Sequence, residues 1–522
     1  MQASALINGL SNGLKILCLG LASSAPLSAQ GPDPTSPRVA TAQGLVQGIP
    51  TETGTAYLGL SYAAAPVGDL RWRSPQTPTA WDGIRRADAF GPPCAQPPLR
   101  GQTAISDISR EDCLTLNIWV PRKSSGDKLP VMLWIHGGGF QNGMGSSPTY
   151  DGVALSRHGV IVVTLNYRLG VFGFLAHRQL TAESAHNSSG NFGLEDQIAA
   201  LRWVSANIGA FGGDPANVTL FGQSAGGASV LNLMTSDQTA GLFARAIIQS
   251  GAARSSIAPV ALADAEGQGE TFAKGQSLAA LRGMDTAAIL AMADEAARSG
   301  ARFSPVQDGY VIRRAAATAI ADPDRPATPL LIGSNAREGL GALPADKLEG
   351  AIRAEFGKNA AAALAAYGLA GPNPATPDRL MGTPAEQFST DSTFRCGAVN
   401  IARVSAAAGA PVWQYEFEQF VPGREARGAA HSFEVPYVFG NLLTTGFSAA
   451  PYAAADRSLS DLMVRYWTNF AKRGNPNEPG LPVWQAYDSS GQAYLRLSSE
   501  RRGNAELGHD LRGEICRLFP QD

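Results

Sequence analysis

The stretch Val218-Thr-Leu-Phe-Gly-Gln-Ser-Ala-Gly-Gly-Ala-Ser229 runs from a β-branched, apolar segment into the pattern G-x-S-x-G and then into small residues. That order reads as strand, sharp turn and helix, with Ser224 at the turn. Gly222 and Gly226 flank it because a side chain at either place would collide with the strand or helix once the turn is drawn tight. A helix that starts just after Ser224 aims its free N–H groups and positive dipole end at charge developing there. The same pattern also suits a purely structural turn, so the surrounding sequence has to decide.

Outward from this turn, short apolar runs ending in Gly or Asn recur: "VMLWIH" before "GGGF", "GVIVVTLNY", "RAIIQS", "PLLIGSN" and "VWQYEF". These read as buried parallel strands. Helical periods lie between them. In "GLEDQIAALRWVSANIGAF" Leu194, Ile198, Leu201 and Ile208 share one stripe, and "SLSDLMVRYWTNFAKRG" closes on Gly474. Strands alternating with helices predict an α/β fold with a mainly parallel central sheet flanked by helices. Function in such sheets sits at the carboxyl ends of strands, where Ser224 falls.

The chemistry needs three more parts. Gly137, Gly138 and Gly139 follow another buried strand, and without Cβ atoms the N–H groups of Gly138 and Gly139 can approach a ligand. With the N–H of Ala225 they suit an oxyanion hole. A serine hydroxyl is a poor nucleophile near neutral pH, so a base must reach it and an acid must orient that base. Of the 6 histidines, His431 lies late in the chain on a loop after "VWQYEF", where the hydrolase order Ser, acid, His wants one. Glu338, just past the strand "PLLIGSN", is the candidate acid.

Composition narrows the field. The 522 residues carry a net charge of −2, which offers no basic field for nucleic acid or an anionic membrane. A length prior suggests about three domains. Residues 1–29 differ from the rest. Lys15 precedes the short apolar run "ILCLGLA", and "SSAPLSA" ends at Ala29, which reads as a signal peptide and a secreted or periplasmic enzyme without a stable membrane anchor. Its removal leaves Cys94, Cys113, Cys396 and Cys516, compatible with two disulfides in any of three pairings and with no metal site.

The chain resembles the type B carboxylesterase/cholinesterase family of the α/β-hydrolase fold over nearly all of the mature sequence. The blocks that carry the likeness are "EDCLTLNIW", "HGGGF", "NYRLGVFGFL", "GNFGLEDQ", "FGQSAGG", "IIQSG", "GSNAREG", "GAAHSFEVPYVFG" and "YWTNFAKRGNPN". The resemblance implies one domain over 30–522, with helical insertions around an active-site gorge. It implies a small-molecule ester as substrate, no cofactor, and Ser224, His431 and Glu338 as nucleophile, base and orienting acid. It also implies that Ser250 hydrogen-bonds the acid, that Cys94 pairs with Cys113 and Cys396 with Cys516, and that Arg71–Glu111 and Arg168–Asp196 are structural ion pairs.

Two departures bear on the substrate. Gln223 stands where the family mostly has Glu, and no residue between Cys94 and Cys113 is aromatic, so choline esters lack a stacking partner and a bacterial-type carboxylesterase is expected. Arg337, Arg424 and Arg427 lie beside the acid and upstream of His431; one facing the gorge would favour esters with a free carboxylate. A lipase or acyltransferase would use the same intermediate. A silent binding protein of this fold would have lost these site residues, and this chain keeps them.

Overall fold

The computed structural model describes residues 36–520 apart from 99–102, 123–125, 127, 253, 255–256, 373–374 and 445–448; the leader read at 1–29 lies outside them. Its central sheet has eleven strands: β1 (Ile49–Pro50), β2 (Gly54–Ser61), β3 (Thr115–Pro121), β4 (Leu129–Ile135), β5 (Ile161–Leu165), β6 (Gly213–Gln223), β7 (Arg245–Gln249), β8 (Leu330–Asn335), β9 (Val412–Phe417), β10 (Ala493–Leu497) and β11 (Ala505–His509). They lie in the order β11-β10-β9-β8-β7-β6-β4-β5-β3-β2-β1. From β5 across to β10 neighbours are parallel, and the pairs at either end are antiparallel. All six apolar runs picked out in the sequence are strands of this parallel part. The edge strands, and a separate small sheet of Arg38–Thr41, Gly44–Gln47 and Ile84–Arg86, gave no comparable signal.

Alternation along β4 builds the two halves of the core. Val131, Leu133 and Ile135 face one layer with Leu194, Ile198, Leu201 and Ile208, all buried. These four belong to α1 (Phe192–Asn207) and the turn that follows it. Met132 and Trp134 face the other layer with Phe221, Trp413, Met463 and Trp467. The last two sit on α3 (Ala454–Arg473), which stops at Gly474 in the left-handed conformation, φ 72°. Between α1 and α3 in the chain lies α2 (Ala225–Met234), whose every residue is buried. A helix layer on each face is what buries a parallel sheet.

Strands β4 and β5 exchange places in the order, so connections leave β4 and β6 in opposite senses and open a crevice at their carboxyl ends. The expected disulfides Cys94–Cys113 and Cys396–Cys516 are formed. So are the buried ion pairs Arg71–Glu111, at 2.6 Å, and Arg168–Asp196, at 2.7 Å. No helix among the described residues is long and apolar enough to cross a membrane.

Candidate active site

Ser224 joins the end of β6 to the start of α2 with φ 58° and ψ −127°. A residue with a Cβ held there stores on the order of 1–3 kcal/mol of backbone strain, tolerated only where the surroundings fix it. They do so closely. A Cβ on Gly226 would lie 2.0 Å from the Ile135 carbonyl oxygen, and one on Gly222 2.5 Å from that of Gly226. The Ser224 N–H donates to the Gln249 carbonyl, 2.9 Å, tying the turn to β7.

The glycine loop crosses the same point. A Cβ on Gly137 would meet the Gln223 carbonyl oxygen at 2.7 Å and Ser224 Cβ at 3.0 Å, so the loop lies directly against the turn. Gly138 and Gly139 have φ 118° and 63°, and Gly138 has no room for a Cβ, with the Asn142 carbonyl oxygen 1.9 Å away. Both conformations favour glycine. His136, which opens this loop, is buried against Tyr167, and burial pushes its imidazole down to about 4. It does not line the cavity.

His431 and Glu338 meet as the sequence led one to expect. Nδ1 of His431 lies 2.6 Å from Oε2 of the buried Glu338 carboxylate. The other carboxylate oxygen accepts from Ser250 Oγ, 2.7 Å, and from the Asn335 N–H, 2.8 Å. The backbone N–H of His431 donates to the Glu338 carbonyl, 3.0 Å, fastening the two loops together. The acid is thus fixed by the ends of β7 and β8, and fixes the imidazole in turn.

The far side of that ring is arranged otherwise. Gln223 Nε2 donates to His431 Nε2 at 3.2 Å, and no hydrogen bond joins that nitrogen to Ser224 Oγ. An accepting Nε2 places the ring proton on Nδ1, toward Glu338, which is the tautomer a general base needs. The ring also stacks on Phe394, 4.9 Å between centroids and 12° between planes. Phe394 sits in a π-helical turn, Asp391–Arg395, and nothing in its sequence context marks it. Glu434, three residues past His431, is a further buried acid. Its carboxylate accepts from Gln249 Nε2, 3.2 Å, and Asn335 Nδ2, 2.8 Å. Burial, reinforced by the charge on Glu338, pushes Glu434 up to about 7.

Ser224, His431, Gln223 and the three glycines line one cavity of about 1120 Å³, closed on other sides by Tyr150, Phe388, Phe394 and the loop Leu340–Leu343. Arg337, Arg424 and Arg427 are elsewhere. Arg337 donates to Glu386, 2.9 Å; Arg424 donates to the Ala449 carbonyl, 3.0 Å; Arg427 lies over the Phe433 ring, 5.0 Å from its centroid. The cation on the cavity wall is Arg302, which the sequence did not single out. A largely apolar cavity with a serine, an acid-held imidazole and converging N–H groups can carry acyl transfer.

A family model described as "Carboxylesterase family" matches residues 35–518. A fumonisin B1 esterase of Sphingopyxis macrogoltabida is 36% identical over 488 residues, 90% of this chain and 88% of that protein. A para-nitrobenzyl esterase of Bacillus subtilis is 36% identical over 486 residues, 88% of this chain and 95% of its own. Among solved structures, a carboxylesterase of Geobacillus stearothermophilus superposes with a TM-score of 0.80 at 35% identity, covering 92% of this chain and 100% of that one.

Proposed function

Because this chain belongs to the carboxylesterase family, ester hydrolases of the α/β-hydrolase fold, we propose that Ser224 is its nucleophile, His431 its general base and then acid, and Glu338 the carboxylate that orients His431. Ser224 Oγ attacks the ester carbonyl as Nε2 of His431 takes its proton. The N–H groups of Gly138, Gly139 and Ala225 hold the oxyanion, each donor contributing about 2.7–4 kcal/mol in the transition state. The tetrahedral intermediate expels the alcohol, which takes the proton from His431, and leaves an acyl-Ser224 ester. Water, deprotonated by His431, attacks that ester; the carboxylic acid departs and Ser224 regains its proton.

The observation that carries this reading is the 2.6 Å pair of His431 with Glu338 on the wall of the cavity into which the strained Ser224 turn opens. Nε2 must exchange Gln223 for Ser224 Oγ during the cycle, and catalytic hydrogen bonds are often slack before substrate arrives. A leader over 1–29, export, and one hydrolase domain over 30–522 complete the proposal; two disulfides suit an oxidising compartment. Arg337, Arg424 and Arg427 lend no support to a carboxylate preference, since none lines the cavity.

Ser224→Ala is expected to lower kcat by roughly six orders of magnitude and Glu338→Gln by about four, with folding little changed. Steady-state kinetics on a neutral chromogenic ester checks both. Near wild-type turnover by folded Ser224→Ala would overturn the assignment.

A further inference from the structure

Arg302 stands where two cavities meet. It lines the cavity that holds Ser224 and also a second one, of about 400 Å³; the two share Gly139, Ile257 and Arg302. Among the described residues on the wall of the first, Arg302 is the one side chain with a permanent charge. The second adds Asp294, which is already engaged by Arg298 at 2.5 Å. Among the described residues the Arg302 guanidinium has no hydrogen-bond, ion-pair or ring partner; only its backbone N–H is used, by Gln268 Oε1. Arg337 and Arg424, by contrast, are engaged by Glu386 and by the Ala449 carbonyl.

The backbone that carries this free cation is nevertheless held firmly against the glycine loop. Gln141, two residues past Gly139, donates from Nε2 to the Phe303 carbonyl at 2.6 Å. Ala301 and Phe303 on either side are buried, and Phe303 packs edge-on against Phe272 with centroids 5.7 Å apart. The Arg302 backbone therefore keeps a set position relative to the glycine loop, while its exposed side chain leaves five donors open. An unpaired guanidinium on a cavity wall whose other described side chains carry no permanent charge can receive a carboxylate through two parallel hydrogen bonds.

We propose that Arg302 is a specificity-determining residue that selects esters bearing a free carboxylate, a statement about substrate class that rests on the esterase reading of Ser224. The neutral part of such an ester reacts at Ser224 while its carboxylate reaches toward the second cavity. The carboxylate belongs to either the acyl or the alcohol part, and the experiment has an arm for each.

The test compares matched pairs. For the acyl arm, the p-nitrophenyl monoester of glutaric acid is set against its methyl-capped diester; for the alcohol arm, acetoxybenzoate is set against its methyl ester. The readout is the ratio of kcat/KM, charged over neutral, in each pair. Arg302→Gln is expected to lower this ratio on the order of tenfold or more in one arm, chiefly through KM, as loss of a charge-assisted pair implies. Arg302→Lys should keep part of it. Raising salt should erode the wild-type ratio, because the cation is open to solvent. A ratio unchanged by Arg302→Gln in both arms, whether activity is kept or falls equally on charged and neutral esters, would overturn the proposal. Turnover of the neutral esters by the wild type reports separately on the esterase reading, so failure of one does not pass for failure of the other.

Discussion

Glu434 shows how a single buried residue next to the chemistry sets a pH response. Its carboxyl is pushed up to about 7 from an ordinary value near 4.5, first by burial and then by the charge on Glu338, while Asn335 works against the shift. Tyr150, Tyr415 and His431 are its other titratable neighbours. Between those two pH values the folded protein keeps a proton that the unfolded chain releases. Stability from this group is therefore full below about pH 4.5 and is lost as pH rises through about 7. The amount is on the order of 3 kcal/mol. Glu434→Gln, neutral throughout, is expected to gain thermal stability relative to wild type as pH goes from 5 to 8. Glu195, also pushed up to about 7 by burial, titrates in both proteins and cancels in the difference. Parallel shifts of Tm with pH in the two proteins would contradict this.

The elements place the site by forbidding alternatives. Strand β6, the Ser224 turn and α2 fit against β4 only because Gly226 has no side chain, its missing Cβ lying 2.0 Å from the Ile135 carbonyl oxygen. Gly226→Ala is accordingly expected to cost about 1–3 kcal/mol of stability and to move Ser224 off the glycine loop. A denaturant titration together with kcat checks both; unchanged stability and activity would mean the turn is looser than described. These elements were largely legible in the sequence, because β-branched apolar runs ending in glycine have few other uses in a chain of this kind. The stripe on α1 was legible for the same reason. The edge strands were not, since short, half-exposed segments such as Ile49–Pro50 carry no distinct period. Within the site, Ser224 and the glycines announce themselves through local geometry, whereas His431 and Glu338 emerged only from the family's order of parts. Phe394, the Gln223–His431 contact and Arg302 were illegible. Each depends on which distant segments the sheet brings together, and the sequence near each is ordinary.

At the scale of the whole molecule, the sheet gathers a serine, an acid and a histidine from three separate strand ends and closes helices and loops over them, leaving one cavity on whose wall Arg302 is the permanently charged side chain among the described residues. Of the two disulfides, one closes Cys94–Cys113 and the other joins Cys396 to Cys516 near the C-terminal end of the described residues. The proposed acyl-enzyme would add mass to the entire chain, and intact-mass spectrometry detects it after mixing with a slowly turned-over ester, or detects the phosphoryl adduct on the same serine after mixing with an organophosphate. One adduct per chain is expected, mapping to the peptide that contains Ser224 and missing from folded Ser224→Ala. A stable adduct on any other residue, or equal labelling of Ser224→Ala, would contradict the assignment of Ser224 as the nucleophile.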